Sequence, residues 1–89
     1  MTLQEIMPLV AKEMQYGYEC FGKYHNSHEH YAVLQEEVDE WWDAVKRNTA
    51  DYELYELIQV AAVALRYIIE NCEGQDLAEV QRLRQAKKG

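Results

Sequence analysis

Glu36-Glu37-Val38-Asp39-Glu40 and, fifteen residues further on, Glu56-Leu57-Ile58-Gln59-Val60-Ala61-Ala62 decide how this chain is read. Neither stretch holds a glycine or a proline; the first is acidic, and the second is apolar but for Glu56 and Gln59. Each reads as a helix. Glu37 with Glu40, and Glu56 with Gln59, stand one turn apart, so each pair can aim its side-chain oxygens at one point in space. That is a metal-site geometry.

Working outward, the helix holding the first stretch is expected from a cap at Asn26 or Ser27 to about Arg47, with Tyr31, Leu34, Val38, Trp41, Trp42 and Val45 as its inward stripe. At roughly 100° per residue from Leu34, Glu37 and Glu40 fall about 60° and 120° to one side. They border the core. Asp39 and Asp43 lie on the far side and read as a solvated face; Glu36 lies there too, either solvated or part of the site. The next helix, from about Asp51 to Asn71, is apolar over most of its circumference, as suits the centre of a bundle. Glu56, Gln59 and Arg66 share one side of it, and a carboxylate in that setting needs a partner. A cation bridging Glu56 to Glu37 and Glu40 supplies one.

Two further helices complete the chain. The first starts either at a capping box of Thr2 and Glu5, with a kink at Pro8, or nearer Met7 with Pro8 in its first turn. Its stripe is Val10, Met14, Gly17, Tyr18 and Phe21. The last, capped by Asp76, carries Leu77, Val80 and Leu83 and ends in Gln85-Ala86-Lys87-Lys88-Gly89, where lysines suit a helix C-terminus. The expectation is an all-α protein of four helices in a single domain over residues 1–89.

Eighty-nine residues bury one small core. With 48% hydrophobic residues but only two distant cysteines, Cys20 and Cys72, the missing stability is expected from self-association and not from disulfides. Sixteen acidic against nine basic residues give a formal charge of −7, the wrong sign for duplex nucleic acid. A small anionic substrate is still compatible, because divalent cations between carboxylates and phosphates reverse the local charge. The longest apolar run, Leu57 to Leu65, falls far short of the ~20 residues of a membrane span. No charged leader opens the chain, so a reducing cytoplasm is the expected setting.

On these residues the chain resembles the MazG-like all-α nucleoside triphosphate pyrophosphohydrolases, in a short branch often associated with phages and prophages. Glu36-Glu37-Val38-Asp39-Glu40 fits that family's EExxE motif, and Glu56-Leu57-Ile58-Gln59 stands where the family has ExxD. The likeness covers roughly residues 28 to 70. It implies a four-helix MazG-like bundle completed by homo-oligomerisation, as a dimer or tetramer. It also implies magnesium, or manganese, held by Glu37, Glu40, Glu56 and Gln59, and cleavage of a (d)NTP to (d)NMP and pyrophosphate. Glu36 and Glu37 take the catalytic positions, Glu36 as a further ligand or water-orienting base. Gln59 departs from the pattern: its amide offers an oxygen but no charge, which lowers magnesium affinity. A nucleotide-binding relative without turnover is therefore an alternative, and a helical interaction module is another.

On the substrate side, Lys46 and Arg47 near the end of the second helix could meet a triphosphate, and Tyr52, on the Glu56 side, could stack on a base. Arg66, seven residues beyond Gln59, could contact a phosphate or neutralise an acid across the bundle. His25, His28 and His30 read as solvated, since His28 and His30 point about 200° apart on a helix. Only His30 lies on the Glu37 side. Tyr31 and Trp42 read as interface residues, and both cysteines as small apolar ones.

Overall fold

The computed structural model describes residues 1–88, and over that range the chain forms four helices: α1 (Leu3–Phe21), α2 (Ser27–Lys46), α3 (Ala50–Asn71) and α4 (Leu77–Lys88). No strand occurs among the described residues. Gly89, the last residue of the expected C-terminal run, lies outside them. No helix is long and apolar enough to cross a membrane.

Side-chain caps fix the starts of α1, α2 and α4. Thr2 and Glu5 form the capping box, so α1 begins at Leu3 and runs through Pro8 as one helix. Pro8 has no N–H for the Gln4 carbonyl. At α2 the cap is Asn26, whose Oδ1 accepts from the Glu29 N–H at 2.8 Å. Asp76 caps α4 by accepting from the N–H groups of Ala78 and Glu79.

The turn between α2 and α3 sets the register of the whole hairpin. Asn48 takes the left-handed conformation, φ 55°, while its N–H donates to Val45 and that of Thr49 donates to Ala44. This is a Schellman closure with asparagine in the position usually held by glycine. It reverses the chain within three residues. Glu40, seven residues before Arg47, therefore lies level with Glu56, seven residues after Thr49, while Glu37 lies level with Gln59.

Apolar α3 is the centre, packing along both α2 and α1, which do not touch each other; α4 packs against none of the three. The buried apolar residues are Val10, Ala44, Ala62 and Val63, so the helices meet through small side chains. Large aromatics do not fit such a seam. Phe21, placed in an inward stripe by hydrophobicity, is instead 78% exposed, while Tyr31 and Trp42, on the border of the α2 stripe and read as interface residues, are 67% and 56% exposed. On α2 the inward line is His30, Glu37 and Ala44, a seven-residue repeat about 50° away from the Leu34-centred stripe.

Candidate metal centre

Glu37, Glu40 and Glu56 converge. One carboxylate oxygen from each lies within 4.8 Å of the other two, a spacing set by the level pairing across the α2–α3 hairpin. Glu37 and Glu56 are partly buried and Glu40 is exposed, so the cluster sits at the edge of the helix seam and opens to solvent on one side. Neither Glu37 Oε2 nor Glu56 Oε2 has a hydrogen-bond partner, although both atoms are buried. None of the three acids pairs with a basic side chain among the described residues.

Crowded, half-buried carboxylates hold their protons. Burial, then the charge of Glu40 and a proton shared with it, then the charges of Glu56 and Glu36, push the Glu37 carboxyl up to about 7. Glu56 is raised as well, by burial first and by Glu40 second. Such a cluster is costly to ionise unless a cation joins it. Gln59 lies beside Glu37, and its Nε2 is likewise buried without a partner.

Two grooves meet at this cluster. The smaller, about 390 Å³, is lined by Glu40, Asp43, Arg47, Thr49, Tyr52 and Glu56. The larger, about 540 Å³, runs between α1 and the hairpin and is lined by Glu36, Glu37, Gln59 and Arg66 together with Glu13 and Tyr16 of α1. Tyr52 thus shares a groove with Glu56, and Glu36 shares one with Glu37. Lys46 lines neither groove; it pairs with Asp43 at 3.2 Å and lies over the Trp42 ring. Its neighbour Arg47, which turns the corner at the end of α2, is the base facing the smaller groove.

Arg66 and His30 are structural in their surroundings. Arg66 is only 3% exposed; its guanidinium lies between the Tyr18 and Tyr24 rings, pairs with Glu70 at 3.3 Å and donates to the Gly22 carbonyl. It ties the end of α1 to α3. His30, expected to be solvated, is 3% exposed, with Nε2 2.5 Å from the Val63 carbonyl and its ring between Tyr24 and Tyr67. A carbonyl only accepts, so Nε2 carries the proton. The signal for both residues was the hairpin register, which places position 30 level with position 66 on the central helix. His25 and His28 are exposed as expected, His25 paired with Glu29 at 2.7 Å. Asp43 and Glu13, not among the expected site residues, face the grooves because those are walled by the turn and by α1.

Compared with known proteins, the chain matches no family model, no curated protein and no solved structure.

Proposed function

We propose that the chain is a magnesium-dependent nucleoside triphosphate pyrophosphohydrolase of the MazG-like kind, working as a homo-oligomer and converting (d)NTP to (d)NMP and pyrophosphate. One observation carries this reading: at the motif positions, three carboxylates converge, and two of them keep a buried oxygen without a partner. That donor set fits the ion, since magnesium is a hard cation that favours carboxylate and water oxygens. Glu37, Glu40 and Glu56 would hold it, with Gln59 offering its amide oxygen beside them. When bound, magnesium or manganese makes a water more acidic and shields phosphate charge.

The remaining work belongs to the chain's own side chains. Glu37, whose carboxyl is pushed up to about 7 and is only partly ionised at neutral pH, would give up its remaining proton on binding a cation. Glu36, exposed in the larger groove, is the group suited to accept a proton from the attacking water. Arg47 presents a guanidinium to phosphate oxygens in the smaller groove, and Tyr52 an aromatic face to the base. Lys46 reaches a phosphate only by leaving Asp43, and Arg66 lines the larger groove with its guanidinium already engaged by Glu70 and Gly22.

The test is pyrophosphate release from a panel of nucleoside triphosphates with magnesium or manganese, wild type against Glu37→Gln. Release that disappears in the variant supports the hydrolase; no release from any triphosphate by the folded wild type rejects it. Gln59 favours a second reading, because an amide with an unpartnered nitrogen stands where the family pattern has an aspartate. In that reading the chain binds nucleotides with magnesium but does not turn them over. Gln59→Asp then gains hydrolysis that the wild type lacks.

A further inference from the structure

We propose that α4 is an exchanged arm, seated in the apolar α2–α3 groove of a second copy of this chain, which returns its own arm in the same way. The inference rests on the homo-oligomer part of the reading above and not on its chemistry. A folded chain of this mass exposes about 5,400 Å², whereas this one exposes 7204 Å². The surplus, roughly 1,800 Å², is about twice the ~800 Å² that each partner gives up in a standard interface. The radius of gyration, 15.0 Å, likewise exceeds the ~12 Å of a compact domain of this length. The chain carries surface enough for a partner.

Part of the surplus lies on α4 and on one side of the hairpin. Leu77, Val80 and Leu83 are all more than half exposed, and α4 touches no other helix. A helix of twelve residues is marginal in water without a surface to lie on. Such a surface exists on the side of the hairpin away from the acids: a groove of about 420 Å³ lined by Tyr31, Leu34, Ala64, Tyr67 and Ile68, of which Tyr31 and Ile68 are 67% and 55% exposed.

Charge selects the occupant. Residues 77–88 hold one acid, Glu79, against Arg82, Arg84, Lys87 and Lys88, a formal +3, while the rest of the chain holds fifteen acids against five bases, a formal −10. A basic, apolar-striped helix is complementary to an acidic bundle with an apolar groove, and this chain supplies both. The α3–α4 link directs the arm outward: the Gln75 N–H closes a turn onto Cys72, Gly74 takes φ +89°, and Asp76 caps the new helix at once. Bound by its own hydrogen bonds, α4 leaves its bundle for that of a neighbour. Reciprocal exchange of this kind closes as a two-fold dimer.

The experiment measures mass in solution by light scattering or sedimentation over a dilution series, for the full chain and two variants. Leu77→Ser/Val80→Ser/Leu83→Ser disables the arm, and Ile68→Arg puts a like charge in the groove that receives it. The wild type is expected to associate, and each variant to weaken association on the order of ten-fold or more. An equimolar mixture of the two variants regains part of the association, because in the mixed dimer one of the two contacts joins an intact arm to an intact groove. Circular dichroism checks that each variant keeps its helices, and Ile68→Arg, which leaves α4 intact, decides the matter if the arm variant loses them. Variants that associate like the wild type, or a mixture that stays monomeric, overturn the exchange while leaving the homo-oligomer reading in place. A monomeric wild type overturns both.

Discussion

At Glu37 the cost of burial and the use of a carboxylate meet in one side chain. Its folded-state pKa of about 7 lies above the ordinary 4.5, so between these values the folded chain holds a proton that the unfolded chain has released. The Glu37 contribution to the stability of the metal-free protein is therefore fully present below pH 4.5 and is lost as pH rises through 7. Glu56, raised in the same direction, adds to the fall. Thermal melts across that range are expected to show it, and Glu37→Gln to flatten it; an unchanged slope in the variant would assign the titration elsewhere. Gly17 makes a second residue-scale case, because a Cβ there would come 2.7 Å from Arg66 Nη1. Alanine normally gains about 1 kcal/mol over glycine inside a helix. Crowding a packed site costs about 1–3 kcal/mol, and Arg66, bonded to Glu70 and Gly22 between two rings, has little room to yield. Gly17→Ala is thus expected to lower stability by about 1 kcal/mol in the wild type, and to raise it in an Arg66→Ala background. Chemical denaturation of the four proteins in this cycle checks the change of sign.

Among the elements, the α2–α3 hairpin has the most to lose from a local change. Asn48 holds the left-handed position that sets its register. Asn48→Val, whose branched Cβ resists that conformation, should cost about 1–2 kcal/mol, and Asn48→Gly about nothing or a slight gain, as read by denaturant midpoints. All four helices, their near-correct limits and the carboxylate triad were legible in the sequence, because caps and one-turn spacings are local chemistry. The facing of α2 was not. Its inward line passes through His30 and Glu37, which any hydrophobic scale counts as outward, so the stripe came out centred on Leu34 with Tyr31 and Trp42 turned in. What a polar residue on an inward line meets depends on the neighbouring helix. His30 has the Val63 carbonyl, supplied from thirty-three positions away. Of Lys46 and Arg47, both expected near a triphosphate, Arg47 is the one that lines a groove, because which of two adjacent bases faces a groove is decided by the turn that follows.

For the molecule as a whole, the triad should couple ion binding to folding. Anything that binds only the folded state adds stability as its concentration rises, about 2.7 kcal/mol at a hundred times the dissociation constant. Magnesium is therefore expected to raise the melting temperature of the wild type, and to do so far less in Glu37→Gln or Glu56→Gln. If both variants respond like the wild type, the carboxylates are not where the ion sits, and the interaction-module reading gains ground. Those same variants should be no less stable than the wild type without metal, because each removes a charge from a crowded, partly buried cluster.

That α1 and α2 never touch has a mechanical consequence. Each packs along α3, so the molecule works like a book whose spine is α3 and whose two covers meet at the α1–α2 link, where Tyr24 lies against both Arg66 and His30. The cover formed by α1 lies on α3 through Val10 and is latched at its end by the Arg66 guanidinium, which stacks on Tyr18 and reaches across to Gly22. Swinging it back would bare Gln59 and the α1-facing side of Glu37 while leaving the hairpin, and with it the spacing of Glu37, Glu40 and Glu56, undisturbed.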